Sequence, residues 1–492
     1  MTADRSPTTL DPDDWEALAA VGHRALDDAM ELLEGVAEGP VWRVPPAEVQ
    51  RALTAPVPRT GTSLEAVYDD VRRLILANPH GNIHPRFWGW VNGTGTPVGV
   101  LGDMLAAAVN PNVGGGNTVP ALVEQQVIDW MKALMGFPPG ASGLLGTGGS
   151  MANFIGIASG VYAKAEVDLR DAGIAGAPRR MMVYASSQVH SSVDRAVRLL
   201  GLGAQSLRRI PVDEEFRIDT AALRLAIEED RSAGRHPAVI VGTAGTVNTG
   251  AFDDVEGLAD LATVEDLWLH VDGAFGAMAR LAPEVRALTT GVDRADSLAF
   301  DLHKWLYVPY DAGCVLVRDP DAHRLPFDVT PPYLAPLTGG ISAGTWFSNY
   351  GIELSRGFRA LKVWMSLRVH GTDAYAAAIA ANVAQARYLA ERIAAQADLE
   401  LLAPVPLNIV CFRYRPSGLS DEAADHLNRG LLIRLQEEGT ALPSHTLVHG
   451  RFAIRVAITN HRSRYPDFDL LVERVIQLGR EIASSERSTV AS

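Results

Sequence analysis

The sequence predicts an α/β fold: a mostly parallel central sheet with helices on both faces, a helical N-terminal arm and a small C-terminal α+β domain. Short apolar runs alternate with helical patterns between about residues 140 and 330, which is typical of a parallel sheet. The first 60 residues carry a helical period and a proline-rich stretch without a core of their own. We therefore expect an arm over residues 1–85, a large domain over 86–357 and a small domain over 358–492.

Length and charge narrow the class of protein. The 492 residues include 44 lysines and arginines against 58 aspartates and glutamates, a net charge of −14. Such an acidic surface disfavours nucleic acids and anionic membranes as partners. Because no apolar run reaches about 18 residues and the first residues lack the pattern of a signal peptide, we expect a cytoplasmic protein without membrane spans.

The N-terminal arm is predicted to need a partner surface. Residues 13–37 place apolar side chains at helical spacing, and prolines then break the helix (VWRVPPAEVQRALTAPVPRTGTS). A helix and an extended segment without a core must pack against something else. A second subunit is the natural candidate.

In the large domain, chemistry is expected directly after the strands, since ligands of such sheets lie beyond the carboxyl ends of the strands. SLAFD is followed by Leu302-His-Lys-Trp305, so that Lys304 ends a buried strand. Burial lowers the pKa of a lysine and makes it a nucleophile towards carbonyl groups. A strand-end lysine that reaches solvent is the plain alternative.

Asp272 ends a second apolar strand, LWLHVD, and small residues follow it. A carboxylate there can keep a pyridine nitrogen protonated, although an isolated aspartate is often only a helix cap. Asp272 and Lys304 follow different predicted strands, so both are expected to face one crevice.

Two further segments precede these strands. Gly146-Thr-Gly-Gly-Ser-Met-Ala-Asn153 leads into an apolar helix and suits a phosphate, although Gly93–Gly99 shows how readily glycine runs arise. His190, in VHSSV after the strand MMVYAS, is placed to stack on a flat cofactor. A phosphate cradle, a stacking histidine, an aspartate and a lysine in this order predict a site for pyridoxal 5′-phosphate (PLP).

At this point the chain resembles a known family, the group II PLP-dependent amino-acid decarboxylases. The resemblance covers nearly the whole sequence and rests on HPRFWGWV, QVIDWMKALMGFP, VHSSVDRA, LHVDGAFG, HKW and LSRGFRALKVWMSLRVHG. It implies PLP fold type I, a homodimer with active sites shared between subunits, and decarboxylation of an L-amino acid to an amine and CO2.

The resemblance also implies roles for individual residues. Lys304 would bind PLP covalently, Asp272 would pair with its ring nitrogen, and His190 and Ala274 would lie on either face of the ring. The resemblance implies further contacts to the phosphate or near the ring. The residues that would make them are Gly148, Gly149, Ser150, Thr246 and His303. Asp301 departs from the asparagine common in the family, and a carboxylate near the phosphate needs a hydrogen bond or a proton.

The reaction outcome depends on a loop tyrosine that reprotonates the product in family members. Counting back from ELSRGF places Phe347 at this position, with Tyr350 and Tyr333 as other candidates. Phenylalanine there is a feature of relatives that couple decarboxylation to oxidative deamination, giving an aldehyde. Both outcomes stay open.

Specificity is expected to come from two segments. Gly114, Gly115 and Gly116 occupy a stretch where relatives place bulky pocket residues from the partner subunit. Their lack of side chains would leave this wall of the substrate pocket open. The alternative is a backbone turn without substrate contact. The aromatic residues Phe87, Trp88 and Trp90 are predicted to line an apolar pocket. An aromatic amino acid and a larger, unusual one are both compatible with this pattern.

The remaining features suggest no further site. Cys314 and Cys411 lie in apolar runs and are expected to be buried thiols, and the histidine pairs 80/84 and 445/449 lack further ligands, so no metal is predicted. Arg356 is expected in a structural ion pair. An aminotransferase, a carbon–sulfur lyase or an inactive binding protein are the other classes compatible with Lys304 and Asp272.

Overall fold

The computed structural model describes residues 9–329 and 337–490, with side chains up to residue 484. The strands are β1 (Phe87–Trp88), β2 (Ser142–Gly146), β3 (Met181–Ser186), β4 (Leu207–Ile210), β5 (His236–Thr243), β6 (Trp268–Asp272), β7 (Ser297–Asp301), β8 (Gly313–Val317), β9 (Leu399–Leu401), β10 (Ile409–Tyr414), β11 (Leu442–Val448) and β12 (Arg451–Ala457).

The helices surround two sheets built from these strands. They are α1 (Trp15–Glu34), α2 (Ala47–Ala52), α3 (Leu64–Asp70), α4 (Pro97–Val109), α5 (Val119–Met135), α6 (Gly149–Ala163), α7 (Leu169–Ala172), α8 (Ser191–Leu199), α9 (Thr220–Ser232), α10 (Val255–Glu265), α11 (Leu302–Trp305), α12 (Pro320–Arg324), α13 (Arg359–Ala394), α14 (Asp421–Glu437) and α15 (Tyr465–Val490). None of the helices in the described part of the chain is long and apolar enough to cross a membrane.

The large domain is built on a seven-stranded sheet in the order β2-β8-β7-β6-β5-β3-β4. The neighbours from β7 to β4 pair in parallel, and β8 runs antiparallel to both β7 and β2. All residues of β3, β6, β7 and β8 are buried, as expected for strands covered on both faces. The predicted mostly parallel α/β sheet is confirmed.

The carboxyl ends of β6 and β7 lie side by side because these strands are parallel neighbours. Asp272 is the last residue of β6, and β7 ends at Asp301, directly before the short helix α11 that carries Lys304. The topology therefore brings Asp272 and Lys304 to one edge of the sheet.

The C-terminal domain has a second, five-stranded sheet in the order β1-β11-β12-β10-β9. The long helix α13 precedes it and is interrupted at Gly371, where φ is +70°. Strand β1 pairs in parallel with β11, so Phe87 and Trp88 belong to this sheet although they lie more than 300 residues upstream. The first residues of the proposed 86–357 domain are thus tied to the C-terminal unit.

The N-terminal arm has a limited packing surface of its own. The Tyr68 hydroxyl donates to Asp28 Oδ2 at 2.6 Å and so joins α3 to α1. Trp15, Val67 and Ile75 remain 64%, 44% and 54% exposed. Exposed apolar side chains of this kind are common on contact surfaces.

Candidate active site

A cavity of about 300 Å³ opens at the edge of the sheet where β6 and β7 end. Its walls come from the start of α6, the residue before α8, the turn after β6, α11 and the segment after β1. The lining residues are Val91, Asn92, Thr147, Gly148, Gly149, Ser150, Met151, Asn153, His190, Ala274, Asp301, His303, Lys304 and Tyr310. Most of the cofactor residues predicted from the sequence therefore surround one space.

Lys304 points its ammonium group at a buried carboxylate. Nζ lies 2.8 Å from Asp301 Oδ2, and the side chains are 19% and 2% exposed, respectively. Burial lowers the pKa of Lys304, but the charge and hydrogen bond of Asp301, with the charge of Asp272, outweigh it and raise that pKa above its ordinary value. Burial thus acts on this pKa in the expected direction, and the pairing with Asp301 opposes it.

Asp301 also has an unsatisfied oxygen. Its Oδ1 lacks a hydrogen-bond partner among the described residues, and the residue is 1% exposed. A Cβ built on Gly149 would lie 2.8 Å from Asp301 Oδ2, so only glycine lets the start of α6 pass this carboxylate. The carboxylate is therefore neutralised by Lys304 on one side and open to a donor on the other.

Asp272 is 3% exposed at the end of β6. Burial raises its pKa, and the nearby His190 and Lys304 side chains, with the Ala274 N–H and the Asn153 amide, oppose this rise without cancelling it. The Ala274 N–H donates to Asp272 Oδ1 at 3.1 Å. A buried, basic carboxylate is a suitable partner for a protonated ring nitrogen.

His190 precedes α8 and faces the cavity. Its Nδ1 accepts from the Ser192 N–H at 3.3 Å and lies 2.8 Å from Ser192 Oγ. Desolvation is the main cause that lowers the pKa of His190, and Lys304 lowers it further. The ring is therefore neutral near pH 7 and carries its proton on Nε2.

The start of α6 supplies the anion-binding end of the cavity. Gly148 is the N-cap, with φ +149°, and the first N–H groups of a helix lack intrahelical acceptors. His303 Nε2 lies 3.8 Å from Asp301 Oδ2, and its ring packs on Tyr310 with centroids 4.3 Å apart. Gly148, Gly149, Ser150 and His303 thus line the end predicted for the phosphate.

Thr246 is placed differently from the other predicted contacts. It is fully buried, and its Oγ1 accepts from the Ala251 N–H at 3.1 Å and lies 3.1 Å from Thr249 Oγ1. Its hydroxyl is thus engaged within its own turn. Ala274, by contrast, lines the cavity.

These residues fit PLP. The cavity offers a lysine amine, an imidazole and a glycine-rich helix start, which match an aldehyde, a flat ring and a phosphate. The buried carboxylate of Asp272, bonded to the lining residue Ala274, matches a ring nitrogen. The open Oδ1 of Asp301 needs a donor other than a phosphate, because a phosphate monoester has a second pKa of about 6 and is mostly dianionic near neutral pH.

The predicted loop residues lie elsewhere. Phe347 is 2% exposed and packs under the guanidinium of Arg356, 5.3 Å from the ring centroid. Tyr350 is half-buried and packs edge-on against His323 at 5.0 Å. Neither side chain lines the cavity of its own chain, so a catalytic role for them remains a prediction, and Tyr333 lies outside the described residues.

Two of the three aromatic residues predicted for the substrate pocket lie elsewhere. Trp88 is fully buried, stacks on Phe468 at 4.8 Å and donates to Ser463 Oγ at 3.1 Å, so it belongs to the core of the C-terminal domain. Phe87 is 3% exposed in a cluster with Val41 and Leu442. Trp90, 56% exposed, remains available to a substrate or a partner.

Gly114, Gly115 and Gly116 pack against the loop that precedes α13. A Cβ on these glycines would lie 2.6 Å from Leu354 O, 2.5 Å from Trp346 Cα and 2.5 Å from Ile341 O, respectively. The glycines are therefore required by close backbone contact within the chain. They do not open a wall of the cavity around Lys304, and a role in a partner's site remains a proposal.

Two contributors were missed from the sequence. Tyr310 lines the cavity, accepts from the Gly93 N–H at 2.9 Å and contacts Asn92 Oδ1 at 3.2 Å. A Cβ on Gly93 would lie 1.7 Å from His303 O, so the glycine run at 93–99 does have a place at the site. No local signal reveals this, because the contact joins segments more than 200 residues apart.

Comparison with known proteins agrees with this geometry. Residues 46–415 match the pyridoxal-dependent decarboxylase conserved domain. The chain is 34% identical to an aromatic-L-amino-acid decarboxylase of Bacillus atrophaeus, over 96% of this chain and 97% of the relative, and 29% identical to a phenylacetaldehyde synthase of Petunia hybrida, over 95% and 94%. The crystal structure of Oryza sativa TDC with PLP and tryptamine superposes with a TM-score of 0.88 at 27% identity, covering 96% of this chain and all of that one.

The chain therefore belongs to the pyridoxal-dependent decarboxylase family. It is a PLP-dependent carboxy-lyase of fold type I that acts on an amino acid, as the sequence motifs predicted.

Proposed function

We propose that this enzyme removes the α-carboxylate of an aromatic L-amino acid and releases the amine and CO2, as a cytoplasmic homodimer with shared active sites. The observation that carries the proposal is that Lys304 and His190 line one cavity at the end of β6 and β7, with Asp272 hydrogen-bonded to the lining residue Ala274. Aromatic substrates are favoured because the aromatic-L-amino-acid decarboxylase of Bacillus atrophaeus matches over almost its full length.

Each residue of the cavity has a separate task in this proposal. PLP, when bound, acts as the electron sink for the pair left by the departing CO2. Lys304 Nζ would hold the cofactor, and Asp272 would keep a proton on its ring nitrogen. The first N–H groups of α6 would bind the phosphate, and His190 and Ala274 would contact the ring.

The proton that completes the amine must come from a donor that reaches the substrate. Phe347 and Tyr350 are packed away from the cavity, against Arg356 and His323. We therefore assign this role to Tyr333, the third aromatic candidate of the loop. Replacing Tyr333 with phenylalanine is expected to reduce amine formation, whereas Phe347→Tyr should leave the product unchanged.

An aldehyde-forming reaction is the second candidate, because a phenylacetaldehyde synthase is among the relatives at 29% identity. In that reaction O2 is the oxidant, and water and O2 are consumed to give aldehyde, CO2, ammonia and hydrogen peroxide. The position of Phe347 no longer argues for it, since the ring is buried beneath Arg356.

The proposed dimer rests on exposed apolar side chains beside the cavity and on nearby helices. Trp90 and Tyr310 are 56% and 47% exposed near the mouth of the cavity. Helices α4 and α5 expose further apolar side chains, namely Met104, Leu105, Val109, Val119 and Leu122. Surfaces of this kind usually lie in interfaces, and a partner here would close the open side of the site. The two free, buried thiols suit a reducing cytoplasm.

Aerobic incubation of the PLP-loaded enzyme with a panel of L-amino acids tests the proposal. Aromatic, aliphatic, acidic and bulky S-substituted side chains should be included, with products read by mass spectrometry and peroxide measured in parallel. An aromatic amine without peroxide is the expected result. Aldehyde with equimolar peroxide would establish the second candidate, and a panel processed equally by Lys304→Ala would refute both.

A further inference from the structure

A chain of buried hydrogen bonds leads from Trp268, at the start of β6, to His190. Trp268 Nε1 donates to Ser297 Oγ at 2.8 Å, and Ser297 Oγ lies 2.8 Å from His270 Nδ1. His270 Nε2 lies 2.9 Å from Asn153 Oδ1. Asn153 Nδ2 then donates to Ser192 Oγ at 2.9 Å, and this oxygen lies 2.8 Å from His190 Nδ1.

The interior of this chain is dry. Ser297 and His270 are fully buried, Asn153 and Ser192 are 1% exposed, and Trp268 is 4% exposed. Buried polar groups of this kind must find partners within the protein, and the members of such a network orient one another. The orientation of each donor therefore follows from its neighbours.

The Asn153 amide sets the direction of the chain, because its nitrogen can only donate and its oxygen can only accept. Nδ2 donates to Ser192 Oγ at 2.9 Å, and the same amide lowers the pKa of the Asp272 carboxylate, as a donor does. Oδ1 is then left as the acceptor for His270, which requires a proton on His270 Nε2. Ser297 Oγ donates in turn to His270 Nδ1 at 2.8 Å, in preference to its longer contact of 3.4 Å with Gly156 O.

We propose that Asn153 is a positioning residue that orients His190 through Ser192, and that His270 and Ser297 hold its amide in the required direction. With the Ser192 hydroxyl receiving a hydrogen bond from Asn153, its own proton is directed to His190 Nδ1. This bond adds to the one from the Ser192 N–H, and together they keep the proton of neutral His190 on Nε2, the nitrogen left for the cavity. The group proposed for the ring face is thereby held in part by one amide.

This inference concerns the site of the proposed function, but its central measurement needs no substrate. Holoenzyme and apoenzyme labelled with ¹⁵N-histidine report which ring nitrogen carries the proton, and His190→Gln and His270→Gln assign the two signals. In the wild type we expect both rings to be neutral with the proton on Nε2.

Asn153→Leu removes the amide and is expected to shift the tautomer ratio of His190 towards Nδ1–H by about tenfold, the equivalent of one ordinary hydrogen bond. It is also expected to lower kcat by a similar factor with little change in KM. His270→Leu should act in the same direction, whereas His270→Gln, whose amide can donate to Asn153 and accept from Ser297, should restore the wild-type ratio.

Ser297→Ala and Ser159→Ala form a matched pair that keeps the test decisive if larger changes impair folding. Both serines are fully buried, but Ser159 Oγ bonds only along α6, to Ile155 O at 2.9 Å. Ser297→Ala should alter the His270 and His190 signals, and Ser159→Ala should not. Unchanged His190 signals in Asn153→Leu, or equal effects of the two serine variants, would overturn the inference. If the tautomers shift as expected but no amino acid is decarboxylated, only the proposed function fails.

Discussion

Replacing Asp301 with asparagine tests how the site controls the charge of Lys304. The substitution keeps an oxygen near Nζ but removes the carboxylate charge that lies 2.8 Å away. An opposite charge at such a distance shifts a pKa by about 1–3 units, and each unit corresponds to about 1.4 kcal/mol. Burial is then opposed mainly by Asp272, so the pKa of Lys304 should fall by about 1–3 units, which is about 1.4–4 kcal/mol.

The direction of this pKa change can be measured as a change in the rate at which PLP attaches to Lys304, because only the neutral amine attacks the aldehyde of PLP. A lower pKa raises the neutral fraction at neutral pH, so the attachment rate should rise about tenfold for each unit. The assay mixes apoenzyme with PLP over a range of pH and follows the absorbance of the lysine-bound cofactor. Asp311→Asn is the control, since Asp311 pairs with Arg359 at 3.0 Å. A pH profile that stays in place or moves upward in Asp301→Asn would refute the reasoning.

Three further variants probe the surroundings of the site. Arg356→Met should lower the free energy of unfolding, measured in urea, by about 3–5 kcal/mol, because it leaves the fully buried Glu124 carboxylate unpaired. Adding Glu124→Leu should restore most of the lost stability. Gly115→Ala should increase proteolysis of the loop before α13, since its Cβ has no room and φ is +151°, whereas Gly339→Ala, with open space, should not. Burial lowers the pKa of His323 to about 3, so the unfolded chain takes up the proton first and stability falls as pH drops below about 6.5. His323→Leu should therefore lose about 2 kcal/mol less than the wild type between pH 7 and pH 5 in urea unfolding.

The sequence was enough to predict those parts of the site that the regular order of parallel strands brings together. Asp272 and Lys304 follow two strands, and parallel neighbours bring their carboxyl ends together, so alternation of strands and helices was enough to place them. His190 and the glycine-rich start of α6 follow the same logic. The family motifs then identified the cofactor.

Contacts between distant segments escaped sequence analysis. Trp88 looked like a pocket aromatic, but the two-residue strand β1 pairs with β11 and turns its side chain into the C-terminal core. Phe347 was placed by counting along a loop, and counting carries no information about the packing of its ring under Arg356. Asp301 was suspected as an unfavourable charge, whereas its partner is the lysine three residues along α11.

The hydrogen-bond chain behind His190 does have a sequence signal, in the glycines of α6. Glycine inside a helix costs about 1 kcal/mol relative to alanine, so glycines at 156 and 160 need a compensating contact. A Cβ at these positions would lie 2.4 Å from His270 Nδ1 and 2.6 Å from the Trp268 ring, respectively. The glycines therefore let α6 approach β6 closely enough for Asn153, at the start of the same helix, to reach His270. Helix glycines at a spacing of four, one turn after a polar residue, thus mark where a buried polar network can join a helix to a sheet.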